Sequence, residues 1–272
     1  MPLTPWSLDP ALVYVAIAAV LYVLGSRGRN NRPKPLQALA FFASLAIIVI
    51  ALCSPIDDYA DELFWVHMVQ HILLLTTAPS LMLLGRPWPR MWRALPLRPR
   101  TKVARTLARA RWVAPLRALA KPIPAWILFN VTIVGWHIPA AYNATLTNGI
   151  VHAIEHAMFF FSGLLFWARV IDPGPLRPRL VWPVRCVYAA SAMVVGWILA
   201  ITLAVEPHAI YGYYSALPTR PGGITALTDQ QLAAGVMWVP GSAAYAITFI
   251  LGFYRWLEPD HTPGRAPAAF TT

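Results

Sequence analysis

Five histidines lie in long apolar stretches of the chain, at spacings that suit metal binding. His67 and His71 are four residues apart, and so are His152 and His156. Residues four apart on an α-helix share one face, so each pair can present two imidazoles to one ion. His137 stands near the end of a further apolar stretch. Imidazole suits copper, zinc and iron alike, so the pattern predicts a metal or haem site without identifying the metal.

Other side chains near these histidines are candidate supporting or additional ligands. Glu155 shares a face with the second pair, and a carboxylate within a membrane span costs about 2.5–3.5 kcal/mol, so it should have a partner such as a metal-bound imidazole. Soft sulfur beside imidazole would favour Cu(I), although a single sulfur in such a position more often serves packing alone. The further candidates are Met68, Met237, Cys53 and His208.

The composition indicates a protein that has lipid as its solvent. Of the 272 residues, 58% are hydrophobic and only 12% are charged, about half the charged fraction of a soluble domain. Seven apolar stretches, most near the 20 or so residues that a spanning helix needs, predict an all-α polytopic membrane protein with a single seven-helix bundle. The predicted spans are residues 10–25, 36–53, 63–84, 123–141, 150–171, 184–205 and 232–253. Residues 258–272 are predicted to be a disordered tail.

Basic residues assign the two faces of this bundle. Of the 22 Lys and Arg residues, 21 fall on alternate loops or the C-terminal tail, and Arg220 is the exception. Basic loops stay in the cytoplasm, so the N-terminus is expected outside, the C-terminus inside, and the histidines near the outer surface. The first stretch has no preceding Lys or Arg, which favours a retained span over a signal peptide. Cys53 and Cys186 then lie at opposite faces and are not expected to pair.

The same distribution explains the net charge of +11 without nucleic acid as a partner. The basic loop at residues 86–121 also carries tryptophan and leucine side chains. Such a composition is typical of helices that lie in the interface against anionic lipid headgroups. Membrane lipids are therefore expected as partners, and nucleic acid is not.

The chain resembles the multi-span CtaG family of cytochrome c oxidase assembly proteins over about residues 36–256. The matching motifs are His67-Met-Val-Gln-His71, Trp136-His137-x-Pro139-x-x-Tyr142, His152-x-x-Glu155-His156 and Asp229-Gln230-x-Leu232-Ala233. The resemblance implies a protein of the bacterial plasma membrane that helps to mature haem–copper oxidases. It also implies copper as the metal, cytochrome c oxidase subunits as partners, and a non-enzymatic role.

Three functions remain open at this stage. The first is an assembly factor that binds copper at the histidine cluster and delivers it to the oxidase. The second is a haem-b electron carrier with histidines of facing helices as axial ligands. The third is an intramembrane zinc metalloprotease, because His152, Glu155 and His156 fit the H-x-x-E-H pattern in which the glutamate activates water.

Overall fold

The structure is a computed structural model and describes residues 6–28, 31–171 and 180–257. Within these ranges the chain consists of helices and connecting loops, with no strand, which confirms the all-α prediction. The predicted disordered tail at 258–272, and with it His261, lies outside the described residues.

Fourteen α-helices occur in the described ranges, with a π-helical turn at Leu73–Thr77 and a 3₁₀ turn at Pro221–Gly223. The helices are α1 Ala11–Ser26, α2 Pro35–Cys53, α3 Pro55–Glu62, α4 Phe64–Ile72, α5 Ala78–Leu84, α6 Pro87–Ala94, α7 Leu97–Arg109, α8 Val113–Leu119, α9 Pro122–Trp136, α10 Pro139–Thr147, α11 Gly149–Ile171, α12 Trp182–Val205, α13 Gly212–Ala216 and α14 Ala226–Leu257.

Five helical segments in the described part of the chain are long and apolar enough to cross a membrane. They are α2, the continuous run Phe64–Leu84, α11, α12 and α14. A sixth candidate is the pair α8 and α9, which is bent by 81°, and α1 is apolar but shorter, at 16 residues. The chain is therefore a helical membrane protein with five to six span candidates by length and composition.

The predicted span 123–141 is broken near its C-terminal end. Helix α9 ends at Trp136, Ile138 is extended, and α10 begins at Pro139. Proline at a first helical position is favoured, and it disfavours helical geometry in the residue before it, so the break is encoded in the His137-Ile138-Pro139 sequence. His137 thus sits at the junction between two helices.

The run Phe64–Leu84 is the most buried of the long segments and packs against α2, α11 and α14. Its closest neighbour is α11, where Gly163 lies directly over the backbone of Leu75. A Cβ atom at Gly163 would be 2.2 Å from the Leu75 carbonyl oxygen, so only glycine permits this approach. The contact joins α11 to the π-helical turn that directly follows α4, and so ties together the two segments that carry the paired histidines.

The basic segment between the third and fourth predicted spans forms α6, α7 and α8. Helix α6 packs on α1. Arg90 of α6 donates to Gln37 of α2, and Tyr22 of α1 donates to the carbonyl of Gly85, which lies between α5 and α6. Helix α7 has no buried residue, and Trp88 and Trp112 on either side of it are exposed. Basic helices with exposed tryptophans are typical of the membrane interface.

Candidate metal centre

The paired histidines of α4 and α11 face one another across the contact between these helices. One candidate ligand atom from each of His67, His152, Glu155 and His156 lies within 4.8 Å of the others. The ring centroids of His152 and His156 are 4.1 Å apart, and those of His67 and His152 are 5.2 Å apart. The structure therefore brings His67 of the first predicted pair and both histidines of the second pair together with Glu155. We call these four residues the histidine–glutamate group.

This group is shielded from solvent, and its candidate ligand atoms have no hydrogen bond to the protein among the described residues. His67 and Glu155 are fully buried, His156 is 8% exposed, and His152 is half-buried. Nε2 of each of these three histidines and both carboxylate oxygens of Glu155 are buried without a hydrogen bond among the described residues. Buried polar atoms are normally paired, so several unpaired donors and acceptors at one point indicate a missing ligand.

His71 borders the group rather than joining it. Its Nε2 lies 3.6 Å from one oxygen of Glu155, and Nε2 of His67 lies 3.6 Å from the other oxygen. The ring of His71 stacks on Phe159, with centroids 4.1 Å apart. Glu155, which the sequence suggested as a supporting residue, is thus in position to contact the ion itself.

Tyr214 fixes the orientation of His67. The Tyr214 hydroxyl donates to the Ala60 carbonyl at 2.6 Å and lies 3.2 Å from Nδ1 of His67. Because the hydroxyl proton is used on a carbonyl, Nδ1 of His67 must carry the proton that it shares with Tyr214. In the neutral ring, Nε2 of His67 is then the free nitrogen, and it faces Glu155, as a metal ligand requires.

His137 lies apart from the group and contacts sulfur. Its Nδ1 donates to the Ile133 carbonyl at 2.7 Å, and its Nε2 lies 3.3 Å from Sδ of Met68. Its ring centroid is 6.3 Å from that of His71. A cavity of about 60 Å³ adjoins these side chains, and Met68, His71, His137 and Met237 all line it.

The other two candidate ligands lie outside the histidine–glutamate group. Cys53 ends α2, its carbonyl accepts from the Ser7 backbone N–H, and both cysteines are free, as the topology predicted. The His208 side chain is 88% exposed and lies 3.7 Å from Glu206.

Sequence reasoning missed the residues that position α4. Its first backbone N–H groups, on Phe64 and Trp65, donate to the two carboxylate oxygens of Asp229 at 2.9 and 3.0 Å. Gln70 donates to the carbonyl of Ala51 and to Asp57. For Asp229, the only available signal was its place in the Asp-Gln motif. The role of Tyr214 left no signal in the sequence.

The residues present fit a metal ion. Three neutral imidazoles and one carboxylate offer nitrogen and oxygen ligands of the kind that copper and zinc accept. Their ligand atoms converge within 4.8 Å of one another. One ion bonded to nitrogen and oxygen at about 2.0–2.2 Å, as zinc is, spans at most about 4.4 Å, so the side chains close around it by a few tenths of an ångström or more when it binds. The chain is therefore a helical membrane protein with a candidate metal centre, whose ligand atoms are buried, lie close together and lack hydrogen bonds.

The chain belongs to the cytochrome c oxidase caa3 assembly factor family, whose family model matches residues 15–258. It is also similar to uncharacterized proteins of Mycobacterium bovis and Mycobacterium tuberculosis, each 24% identical over 267 residues, and of Mycobacterium leprae, 23% identical over 268 residues. These alignments cover 95% of this chain but only 40% of each relative. No solved structure matches the chain.

Proposed function

We propose that this protein binds copper at His67, His152, Glu155 and His156 and helps to deliver it to a haem–copper oxidase during assembly. One observation carries the proposal: four ligand atoms from two helices converge within 4.8 Å, largely buried, with the ligand nitrogens and oxygens unpaired in the protein. Membership of an oxidase assembly family supplies the context, since such an oxidase contains copper.

In this proposal the chain crosses a bacterial plasma membrane seven times, with its N-terminus outside and its C-terminus in the cytoplasm. The seven spans are α1, α2, Phe64–Leu84, α9, α11, α12 and α14. At about 1.5 Å per residue, the 16 residues of α1 reach about 24 Å, and local thinning of the bilayer accommodates a span of this length. The placement of basic residues supports this orientation, and the group then lies near the outer surface.

The packing of the rings supports a bare ion rather than haem. Axial imidazoles from facing helices must be separated by the macrocycle, but the rings of His67 in α4 and His152 in α11 adjoin each other, with centroids 5.2 Å apart. The adjoining cavity of about 60 Å³ is also far smaller than the 300–1,000 Å³ of ordinary ligand pockets.

The position of Glu155 supports a binding role over proteolysis. A metalloprotease glutamate must reach a water molecule at an open metal position. Glu155 is fully buried, and its two oxygens face His67 and His71. A carboxylate enclosed by imidazoles is suited to balancing the charge of a bound cation, so we assign the protein a non-enzymatic role.

Copper binding by the detergent-purified protein tests this function directly. Wild-type protein is titrated anaerobically with Cu(I) against a chromophoric chelator, and bound copper is measured per chain. We expect His156→Ala and Glu155→Gln each to weaken or abolish binding at the group. His208→Ala is the matched control, because this exposed histidine lies outside the group and its removal should leave binding unchanged.

Oxidase maturation provides the second readout. The wild type and each variant are expressed in a bacterium that lacks its own family member, and the copper content of its purified oxidase is measured. We expect wild-type protein and His208→Ala to restore oxidase copper and His156→Ala to fail, at equal membrane levels. Wild-type protein without copper affinity, or full restoration by His156→Ala, would contradict the proposed function.

A further inference from the structure

His137 and Met68 face each other with no hydrogen between them. Nδ1 of His137 lies 2.7 Å from the carbonyl of Ile133, which only accepts hydrogen bonds, so Nδ1 carries the imidazole proton. In the neutral ring, Nε2 is then a lone-pair acceptor. It lies 3.3 Å from Sδ of Met68, and a thioether sulfur is also an acceptor only.

Two acceptors in contact offer their lone pairs to a cation beside them. A proton on Nε2 would make His137 an imidazolium that is 6% exposed and borders a cavity lined mainly by apolar side chains. Burial of such an unpaired charge is costly. A metal ion satisfies both atoms, because bonds of about 2.0 Å to nitrogen and 2.3 Å to sulfur, as for zinc, let one ion reach atoms 3.3 Å apart.

We propose that His137 and Met68 form a second site, distinct from the histidine–glutamate group and selective for monovalent copper. The inference rests on the proposed function only for the identity of the metal. The donor set is one imidazole and one thioether, and Met193 and Met237 line the same cavity. Soft thioether ligands select Cu(I) over divalent zinc, whereas the nitrogen and oxygen ligands of the group do not discriminate in this way.

The two sites are neighbours that share one residue on their border. His71 lines the cavity beside His137, and its Nε2 is 3.6 Å from Glu155 of the group. Tyr211 also holds the backbone at His137 in place, because its hydroxyl donates to the His137 carbonyl at 3.1 Å. A soft site with two protein ligands and a small adjoining cavity suits an ion that must also be released.

The sulfur ligand makes the second site detectable on its own. Detergent-purified protein is loaded anaerobically with Cu(I), bound copper per chain is counted, and X-ray absorption at the copper edge reports sulfur neighbours. Wild-type protein should bind a second copper ion per chain and show sulfur scattering. Zn(II) loaded in the same way should occupy the group and show none.

Variants assign the signal to its ligands. Met68→Leu, which preserves side-chain volume, should remove one copper ion and the sulfur scattering. His137→Ala should do the same, and His156→Ala should lose the other ion and keep the scattering. Met158→Leu is the matched control, because Met158 lies on an exposed face of α11 and should change neither readout.

The outcomes separate this inference from the proposed function. Copper with only nitrogen and oxygen neighbours, lost in His156→Ala, would overturn the second site and leave the first. Sulfur scattering that persists in both Met68→Leu and His137→Ala would also overturn the second site. Wild-type protein that binds no copper would overturn both.

Discussion

The hydroxyl of Tyr214 lies 3.2 Å from Nδ1 of His67, and it joins this imidazole to the carbonyl of Ala60 in α3. Tyr214 is 147 residues from His67 in the sequence. Tyr214 contacts Nδ1 of His67, while Nε2 of the same ring faces Glu155. Tyr214 therefore acts on the metal centre only through His67.

Tyr214→Phe should therefore weaken copper binding without removing a ligand. Outer hydrogen-bond partners of metal-bound histidines typically contribute about 10–100-fold in affinity, because they fix the tautomer and the ring orientation. We expect a loss of about that size at the group, measured by chelator competition, with the number of bound ions unchanged. Tyr213→Phe is the control, since no contact links Tyr213 to His67, and equal affinities for wild type and Tyr214→Phe would refute the positioning role.

Gly163→Ala should destabilise the bundle. The added methyl group would meet the Leu75 carbonyl at 2.2 Å, and the backbone of one helix must move to relieve the clash. Overpacking of this kind costs about 1–3 kcal/mol, which thermal unfolding in detergent can detect. Gly235→Ala in α14 is the matched change, because nothing lies within 4 Å of its Cβ position. Equal melting temperatures for the two variants would show that the close contact does not constrain the fold.

Asp229→Ala should loosen the start of α4. The backbone N–H groups of Phe64 and Trp65 would lose their acceptors, at about 1–3 kcal/mol for each group left unpaired. We expect a lower unfolding temperature and faster hydrogen exchange at residues 64–67. Asp229→Asn supplies one carbonyl oxygen and should recover part of the loss; exchange that is unchanged in Asp229→Ala would contradict the anchoring role.

Asp57 in α3 should make stability depend on pH. Burial, and then the nearby carboxylates of Asp61, Asp9 and Asp58, raise the pKa of Asp57 to about 6 despite a hydrogen bond from Gln70. The unfolded chain has a pKa near 3.9 at this position, so the folded state holds the proton more tightly. Its contribution to stability is present below about pH 4 and is lost as the pH rises through about 6.

Asp57→Asn should remove that decline. The amide oxygen can still accept from Gln70, which donates to Asp57 at 2.7 Å, but no charge forms. Unfolding temperatures are measured in detergent at several pH values between 4 and 7. As the pH rises, they should fall less in this variant than in wild type. Glu62→Gln, at an exposed position of the same helix and not among the carboxylates that raise the pKa of Asp57, should keep the wild-type slope. A slope in Asp57→Asn as steep as that of wild type would show that another group titrates.

Much of the fold was predictable because apolar length and helical periodicity are local properties. The all-helical fold and the pairing of His67 with His71 and of His152 with His156 follow from spacing alone. The separation of His137 from the others was not predictable, since it depends on how α9 packs against α11 and α12. The contacts of Tyr214 and Asp229 with α4 join segments 147 to 165 residues apart, and no local pattern encodes such pairings.

The glycine contact between α11 and the π-helical turn has a consequence for the size of any ion that the protein accepts. At Gly163 the two helices meet main chain to main chain, and a main chain has no alternative rotamers with which to yield. This backbone contact lies about two helical turns from the histidines of α11, and it sets the gap between the imidazoles of α4 and those of α11. The aperture offered to a cation is therefore set by the backbone packing of the bundle as well as by the side chains around the ion.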